Sequence, residues 1–458
     1  MPDSIPMSMT EYVPEFQVRP EDYLPYINHR RIEELKRLAA PLEGKSWTNV
    51  NSTLIGGGVA EILRGAVPFA RSLGVDTNWY VIKGSSEFFK VTKKFHNMLQ
   101  GLKPPISLEE IFHAYLNTID ENTRNTFIAS DIVIIHDPQP AAMVMNGFIF
   151  GNVLWRCHID TSSPDSIIWR FLLPYINNCS GAIFTLPEFI GPGIQVPVYQ
   201  ITPCIDPLSD KNKCYTDREA LDILYPLLSE HNIDPDRPIL AAISRYDVHK
   251  NQSTILKAFK RLRKEKRYNL APYLIFMGNT ATDDPESGAM LEKLMEMAEE
   301  DKDVHFWVNV ENNDRVVGAL MRIAKALVHI STREGFGLVV TEAMWQSTPV
   351  IGSSVGGIKL QVIDGKNGYL VNPGDETAIV RSMKRILSHP EEAKLLGENA
   401  SKHIQTNFLL PELIRRYFIL LRYYNRIDVD IPEFRINELT YSEVINIIRP
   451  RPSHLSGR

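Results

Sequence analysis

Short apolar segments alternate along most of the chain with stretches in which apolar residues recur every three or four positions. A short buried strand followed by an amphipathic helix is the repeating unit of parallel α/β sheets. The predicted strands form two series. The first contains 79–82, 132–135, 153–155, 182–184 and 196–200. The second contains 239–243, 273–277, 304–308, 326–330, 349–352 and 369–371. The pattern predicts two α/β domains of similar size.

The predicted helices place the domain boundaries. One helix is expected over 59–73, where Pro68 should introduce a kink. Beyond the last strand the pattern is helical over 375–387, 390–406 and 411–426. We therefore expect a first domain over 1–206, a second over 207–426, and a tail, 427–458, that packs back on the first.

Composition excludes several classes of protein. The 458 residues carry 50 Lys and Arg against 55 Asp and Glu, a net charge of −5, which argues against a protein built to bind nucleic acid. The chain contains no run of about 18 apolar residues, and its N-terminus lacks the basic-then-apolar order of a secretory signal. We expect a cytoplasmic protein without a membrane span. Cys157, Cys179, Cys204 and Cys214 form no C-x-x-C pair, which favours free thiols over a zinc site.

Three consecutive glycines, Gly56, Gly57 and Gly58, precede the predicted helix 59–73. Backbone without a Cβ can approach a ligand closely, and the helix N-terminus adds partial positive charge. Neither G-x-G-x-x-G nor G-x-x-x-x-G-K-[ST] is present. The segment is interpreted as a loop that faces a phosphate or another ligand, with a tight turn as the alternative.

Polar side chains follow two neighbouring predicted strands of the first domain. His136, Asp137 and Gln139 come after one strand, and Arg156 and His158 end or follow the next. Ligands of open parallel sheets bind at the carboxyl ends of the strands. These groups suit hydrogen bonding to a polyhydroxylated ligand, although each histidine could equally be structural.

Two cations follow the first strand of the second domain. Arg245 and Lys250 flank a short loop before a helix, so both could reach one diphosphate. The alternative is an exposed loop with two ordinary surface cations.

The most specific local pattern runs from Glu334 to Glu342. Gly335 and Gly337 permit a tight loop, and a helix beginning near Leu338 directs free N–H groups towards the same place. Compensation of the helix dipole explains Glu342 alone. It does not explain why Glu334 stands in the glycine-flanked loop.

No acidic pair lies where a catalytic metal would be held. Asp234 and Asp236 precede a strand, and Asp428 and Asp430 lie in the tail, so both pairs are interpreted as solvated. The basic run 257–267 could dock on an anionic membrane, but its few apolar positions favour a solvated helix face.

Taken together, these motifs resemble the retaining glycosyltransferases of the glycogen synthase and sucrose synthase-like group. That group carries a Glu-x(7)-Glu motif, matched by Glu334 and Glu342, and an Arg/Lys pair, matched by Arg245 and Lys250. The segments 23–26, 136–139 and 155–160 more closely resemble the trehalose glycosyltransferring synthases and the related trehalose phosphorylases. The resemblance covers about residues 45 to 425. It implies the GT-B fold, in which two Rossmann-like domains face each other across a cleft.

The resemblance also implies a role for each matched residue. The residues implied in catalysis are Glu334, His158, Arg245 and Lys250. Those implied in donor binding are Gly56, Gly57, Gly58, Asn309, Val310, Gly335, Phe336, Gly337, Leu338, Val339 and Glu342. Those implied in acceptor binding are Asp137, Gln139 and Arg156.

Within the donor set, Arg245 and Lys250 would neutralise the diphosphate, and Glu334 would bind the hydroxyls of the transferred glucose. Glu342 would bind the ribose, and His158 would contact the donor sugar. The first domain would then bind the acceptor and the second domain the nucleotide sugar.

The implied reaction moves glucose, with retention, from ADP- or UDP-glucose to free glucose, and makes or reversibly cleaves trehalose. No cofactor is implied, and no metal is required. Two alternatives stay open: a trehalose phosphorylase that uses glucose 1-phosphate, and a lipid glycosyltransferase at a membrane surface. The nucleoside, the favoured direction and the oligomeric state, a homodimer included, also stay open.

Overall fold

The computed structural model describes residues 8–13, 17–124, 126–264, 271–280 and 285–427. These residues form two compact units. The first unit contains the described residues up to Pro203 together with those from Leu410 onwards, and the second unit is Cys204–Leu409.

The first unit is a seven-stranded sheet with helices packed on it. Its strands are β1 (Thr10–Glu11), β2 (Ser46–Asn51), β3 (Asp76–Val81), β4 (Ile128–His136), β5 (Ile149–Arg156), β6 (Gly181–Phe184) and β7 (Val198–Gln200). The spatial order is β1-β3-β2-β4-β5-β6-β7, and only β1 is antiparallel to its neighbour.

The helices of the first unit come from both ends of the chain. They are α1 (His29–Ala39), α2 (Gly58–Ser72), α3 (Ser86–Leu99), α4 (Leu108–Glu110), α5 (Asn117–Arg124) and α6 (Ser166–Asn177), followed much later by the final described helix, Leu410–Tyr424. A π-helical turn, Ile111–Leu116, joins α4 to α5.

The second unit is a six-stranded parallel sheet. Its strands are β8 (Ile239–Ile243), β9 (Tyr273–Gly278), β10 (Val304–Val308), β11 (Ala326–His329), β12 (Val350–Ser353) and β13 (Gly368–Val371), in the order β10-β9-β8-β11-β12-β13. Its helices are α7 (Asp217–Glu230), α8 (Gln252–Lys264), α9 (Pro285–Ala298), α10 (Asn313–Ile323), α11 (Leu338–Trp345), α12 (Ile358–Gln361), α13 (Glu376–Ser388) and α14 (Pro390–Asn407). The helix Leu410–Tyr424 of the first unit is α15.

Each sheet reverses its strand order once. In the first sheet the reversal lies between β2 and β4, and in the second it lies between β8 and β11. Because the crossover helices leave opposite faces at such a point, a crevice opens there at the carboxyl ends of the strands, where ligands bind. The loops that follow β2, β4, β8 and β11 are therefore the places to look for function.

All eleven predicted strands are present, but the two-residue strand β1 and the strand β2 were not predicted. The sequence of β2, Ser-Trp-Thr-Asn-Val-Asn, is mostly polar, yet five of its six residues are buried where the strand lies between β3 and β4. The helix does not end at Pro68, where a kink was expected, because α2 continues from Gly58 to Ser72.

The expected domain boundaries differ from the observed ones at both ends of the second unit. The first crossing lies at 203/204 instead of 206/207, and the helix expected over 411–426 in the second domain belongs to the first unit as α15. The physical reason is that α15 packs on α1 and α2. The tail 428–458, with Asp428 and Asp430, lies outside the described residues.

Buried ion pairs tie α15 to α1. Arg415 Nε donates to Glu34 Oε1 at 2.7 Å, and Arg415 Nη1 lies 3.1 Å from Glu412 Oε1. Arg31 contacts both Glu34, at 2.8 Å, and Glu412, at 3.4 Å. Glu34 and Arg415 are each 1% exposed. Removing one member of such a cluster leaves a buried charge without its counterion.

Arg415→Ala should therefore destabilise the first unit by roughly 3 kcal/mol or more. Combining Arg415→Met with Glu34→Leu should recover much of this loss, because both charges are then absent. Urea unfolding followed by circular dichroism measures both effects. Lys90→Ala, which breaks an exposed pair with Glu87, is the matched control and should change little. A midpoint for Arg415→Ala equal to that of Lys90→Ala would contradict this account.

Candidate active site

Glu334 is anchored through one of its two carboxylate oxygens. Oε2 lies 2.7 Å from Lys250 Nζ and 2.8 Å from His329 Nε2, and it accepts a hydrogen bond from Ser331 Oγ at 3.0 Å. Oε1 has no partner among the described residues. The side chain is 12% exposed. One oxygen is thus fixed by the protein, and the other is left to accept hydrogen bonds from a ligand.

The surroundings of Glu334 keep it ionised. Burial by itself would raise the pKa of this carboxyl, but the Lys250 ammonium and the His329 hydrogen bond outweigh burial and hold the pKa well below its ordinary value. Because it stays ionised, this carboxylate accepts charge-assisted hydrogen bonds, and its low basicity makes it a poor nucleophile.

The loop that carries Glu334 requires its glycines. Gly337 has φ +83°, and a Cβ there would lie 3.2 Å from Glu334 Cγ. Gly357 lies against the same loop, since a Cβ on it would meet the Cα of Phe336 at 2.5 Å and the carbonyl of Gly335 at 2.9 Å. Gln361 Nε2 donates to the Phe336 carbonyl at 2.7 Å. The backbone thus holds Glu334 in place and starts α11 at Leu338.

The N-terminus of α11 has no side-chain cap. Gly337 is the N-cap residue and offers no side-chain acceptor, so the first N–H groups of the helix, on Leu338 and Val339, stay available. These groups and the helix dipole attract an anion.

Arg245 and Lys250 both follow β8, but their environments differ. The Arg245 side chain is exposed and has no partner among the described residues. The Lys250 side chain is 18% exposed and pairs with Glu334. The structure therefore brings Lys250, Glu334 and the start of α11 together, and leaves the Arg245 guanidinium unengaged after the same strand.

Glu342 is more enclosed than a ribose-binding role suggests. It lies one turn into α11, is 3% exposed, and its Oε1 is 2.9 Å from Lys211 Nζ. The sequence gives no sign of this pairing, because Lys211 lies 131 residues before Glu342 in an irregular segment.

In the turn after β10, the side-chain amide of Asn309 is already hydrogen-bonded within the protein. Asn309 has φ +53°. Its Oδ1 accepts from the Thr280 N–H at 3.0 Å, and its Nδ2 donates to Thr280 Oγ1 at 2.9 Å. Any contact of this turn with a nucleobase would therefore fall to backbone groups such as those of Val310.

In the first unit, Asp137 and His158 are joined where β4 and β5 end. Asp137 has φ +63°, and its Oδ1 accepts from the His158 backbone N–H at 2.7 Å. Its N–H donates to the Arg156 carbonyl, and its own carbonyl accepts from Trp155 Nε1. Burial raises the pKa of the Asp137 carboxyl to about 7. Its Oδ2 has no partner among the described residues.

The other expected first-unit residues fall into three environments. Arg156 is 1% exposed and donates to His158 Nε2 at 3.0 Å. It therefore contacts that histidine and is too buried for the expected direct contact with the acceptor sugar. Gln139 Oε1 is buried without a hydrogen-bond partner. Gly56 and Gly57 have φ +76° and +89° and lie open to solvent before α2, so the backbone conformation itself requires glycine there.

His329 and Asn49 take part in these groups and were missed from the sequence. His329 ends β11, and Asn49 lies in the middle of β2, 3.1 Å from His136 Nε2. Each is a polar residue buried in a strand, and such residues are normally there because they hydrogen-bond. A histidine five residues before Glu334 in an apolar strand was the available signal.

In the part of the chain that the structure describes, no cluster of three or more histidine, cysteine, aspartate or glutamate side chains is arranged to hold a metal ion. Within the same residues, no helix combines the length and apolar character needed to cross a bilayer.

Two family models match the chain, one in each unit. Residues 49–191 match "Trehalose synthase, N-terminal domain", and residues 227–403 match "Glycosyl transferases group 1". The trehalose synthase of Pyrococcus horikoshii is 40% identical over 404 residues, which cover 88% of this chain and 95% of that protein. The trehalose phosphorylase of Grifola frondosa is 27% identical over 394 residues, which cover 77% of this chain and 54% of that protein.

Solved structures show the same fold. An α,α-trehalose-phosphate synthase (UDP-forming) from Burkholderia xenovorans superposes with a TM-score of 0.68 at 14% identity, over 83% of this chain and 99% of that one. The two Rossmann-like units are thus those of a GT-B glycosyltransferase. With 40% identity over nearly the whole length of a curated relative, this chain belongs to the trehalose synthase family of glycosyltransferases.

Proposed function

We propose that this enzyme transfers glucose, with retention of configuration, from a nucleoside diphosphate glucose to free glucose and so forms trehalose. The observation that carries the proposal is the anchoring of Glu334. Its Oε2 is held by Lys250, His329 and Ser331, whereas its Oε1 has no partner among the described residues, and the loop that carries it leads into an uncapped helix N-terminus. This is a site for a hydroxylated group that is attached to an anion.

On the donor side, Oε1 of Glu334 accepts hydrogen bonds from hydroxyls of the glucose to be transferred. The diphosphate lies against Arg245, the remaining N–H groups of Lys250, and the backbone N–H groups of Leu338 and Val339. Lys250 is thus shared between the sugar-binding carboxylate and the leaving group. Glu342, held by Lys211, is assigned to the ribose, and the turn at Asn309 and Val310 to the nucleobase.

Retention follows from attack on the face that the diphosphate leaves. The bond from the anomeric carbon to the diphosphate oxygen breaks, and a bond to the acceptor oxygen forms on the same face. The acceptor proton passes to the departing diphosphate. Glu334 does not serve as a nucleophile, because the Lys250 and His329 contacts lower its basicity. The cations and helix N–H groups stabilise the charge that develops on the diphosphate, so no divalent metal is required.

On the acceptor side, Asp137 supplies the carboxylate. Its Oδ2, which has no partner among the described residues, accepts a hydrogen bond from a hydroxyl of the incoming glucose. The side-chain amide of Gln139, whose Oε1 is buried without a partner, provides a second contact with this sugar. His158, hydrogen-bonded to Asp137 through its backbone, contacts the donor sugar.

Phosphorolysis is the main alternative, since the same cations would bind inorganic phosphate or glucose 1-phosphate equally well on charge grounds. The membrane alternative has less support. Three cations of the basic run on α8 are engaged inside the second unit: Lys260 with Glu299, Arg261 with Glu376, and Arg263 with Asp301 and Asp303. Residues 265–267 of that run lie outside the described residues.

A donor comparison tests the proposal. The enzyme is incubated with glucose and either UDP-glucose, ADP-glucose or glucose 1-phosphate, with and without EDTA, and the products are separated by chromatography. We expect trehalose from at least one nucleotide sugar, with the rate unchanged by EDTA. Trehalose from glucose 1-phosphate alone would replace the proposal with phosphorolysis. Complete loss in EDTA, reversed by added metal, would refute the metal-independent mechanism.

Glu334→Gln should lower the transfer rate on the order of 10²-fold or more, because the charged hydroxyl acceptor is lost. Affinity for the bare nucleoside diphosphate should stay unchanged or rise slightly, since Lys250 is released from its ion pair. Steady-state rates and calorimetry measure the two effects.

Glu342→Gln is the matched comparison, because it makes the same chemical change eight residues further along. It should weaken nucleotide binding more than it slows transfer. If Glu334→Gln loses nucleotide affinity and Glu342→Gln does not, the two roles are reversed. If neither variant changes rate or affinity, the proposed donor site is wrong.

Asp137→Asn should abolish transfer and stabilise the protein, more at pH 8 than at pH 5. The folded pKa of about 7 lies above the ordinary aspartate value, so this group favours folding at low pH and that contribution is lost as pH rises through 7. Asparagine carries no such charge and tolerates the positive φ. We expect a melting temperature higher by about 2 °C or more at pH 8.

Thermal unfolding at both pH values measures this difference, with Asp76→Asn as the exposed control. Stabilisation of Asp137→Asn that is equal at pH 5 and pH 8, or absent at pH 8, would contradict the assigned environment of Asp137.

A further inference from the structure

Arg156 is a buried cation without a carboxylate partner. It ends β5, is 1% exposed, and forms no ion pair with any described residue. Its Nη2 donates to the Ile201 carbonyl at 3.1 Å, and its guanidinium lies 5.5 Å from the centre of the Tyr417 ring. Its Nη1 is buried without a partner. Burying a charged guanidinium costs free energy. An arginine at this position is therefore expected to have a role within the site and not one in surface solubility.

The contact between Arg156 and His158 indicates this role. Arg156 Nε lies 3.0 Å from His158 Nε2. An arginine Nε–H is always a donor, since the guanidinium does not lose its proton in proteins. His158 Nε2 must therefore be the bare, accepting nitrogen. A neutral imidazole has one proton, which then sits on Nδ1.

His136 constrains the same nitrogen from another side. Its Nδ1 lies 3.0 Å from His158 Nε2, and its Nε2 lies 3.1 Å from Oδ1 of the Asn49 side-chain amide. Two bare nitrogens cannot face each other at hydrogen-bond distance, so His136 Nδ1 carries a proton and donates. His136 Nε2 is then bare, so the Asn49 side chain must be turned by half a rotation: its Nδ2, which has no partner, takes the place of Oδ1 and donates to His136.

Both rings are neutral in this arrangement. Burial first, and then the positive charge of Arg156, hold the pKa values of His136 and His158 well below the ordinary histidine value. Asp137 contacts His158 only through the backbone N–H, so its carboxylate does not pull a proton onto Nε2.

The result is a matched donor and acceptor. Among the described residues, the His158 Nδ1–H group has no hydrogen-bond acceptor, and the Asp137 Oδ2 atom has no hydrogen-bond donor. Sugar hydroxyls both donate and accept, so each of these two groups can complement a hydroxyl of a bound sugar.

We propose that Arg156 and His136 are positioning residues that hold His158 neutral in its Nδ1–H form, so that it serves as a fixed hydrogen-bond donor to a sugar hydroxyl. In this form His158 takes no part in proton transfer. The inference rests on the proposed function for the identity of the ligand, but the protonation state of the ring does not depend on it.

Nitrogen-15 NMR of the free enzyme tests the protonation state directly. The chain is labelled with ¹⁵N-histidine, and the His158 ring signals are identified as those missing from His158→Asn. We expect a bare Nε2 and a protonated Nδ1 throughout pH 6 to 8. A protonated Nε2, or a doubly protonated ring at pH 7, would overturn the inference and leave the transferase proposal standing.

Arg156→Met tests the cause. We expect the His158 signals to shift towards a mixture of both tautomers, and the histidine to titrate at higher pH because the neighbouring positive charge is gone. Transfer should fall roughly 10- to 100-fold, with the affinity for nucleoside diphosphate unchanged. Arg170→Met, an exposed arginine of α6, is the control and should leave spectrum and rate unaltered. Unchanged His158 signals in Arg156→Met would refute the role of Arg156. If this variant does not fold, the wild-type spectrum alone decides the tautomer.

Discussion

The reversal of strand order in each parallel sheet is the constraint on which the other features depend. In the first unit β2 and β4 flank the reversal, and in the second β8 and β11 do. Helices leave opposite faces at these points, so polar side chains can collect there without being covered. Asp137 and the glycine loop occupy one such point. Arg245, Lys250 and Glu334 occupy the other, although the chain separates Lys250 from Glu334 by 84 residues.

Both groups use buried charge in the same way. At Glu334, three donors converge on one carboxylate oxygen and leave the second for a ligand. At His158, two donors converge on one ring nitrogen and leave the second. Each arrangement fixes a side chain through one atom and presents the other. Such preorganisation lowers the reorganisation needed when a sugar binds and when charge develops during transfer.

The sequence was sufficient to predict the fold class and the strand-end residues, because parallel strands read as apolar runs and the glycine-flanked Glu334 loop is distinctive. It was insufficient where tertiary contacts decide. The polar strand β2 is buried by its central position, and α15 joins the first unit through Arg415 and Glu34, which are 381 residues apart. Likewise, nothing in the local pattern shows that Lys211 pairs with Glu342 or that Arg156 is enclosed.

The central claim is retaining transfer from a nucleotide sugar to glucose, and carbon-13 NMR of the product tests it most directly. Nucleoside diphosphate glucose labelled at the anomeric carbon is incubated with unlabelled glucose, and the disaccharide is observed as it forms. We expect a non-reducing α,α-linked disaccharide with the label at one of its two α-anomeric carbons. A β-linked product, or labelled free glucose as the sole product, would contradict it.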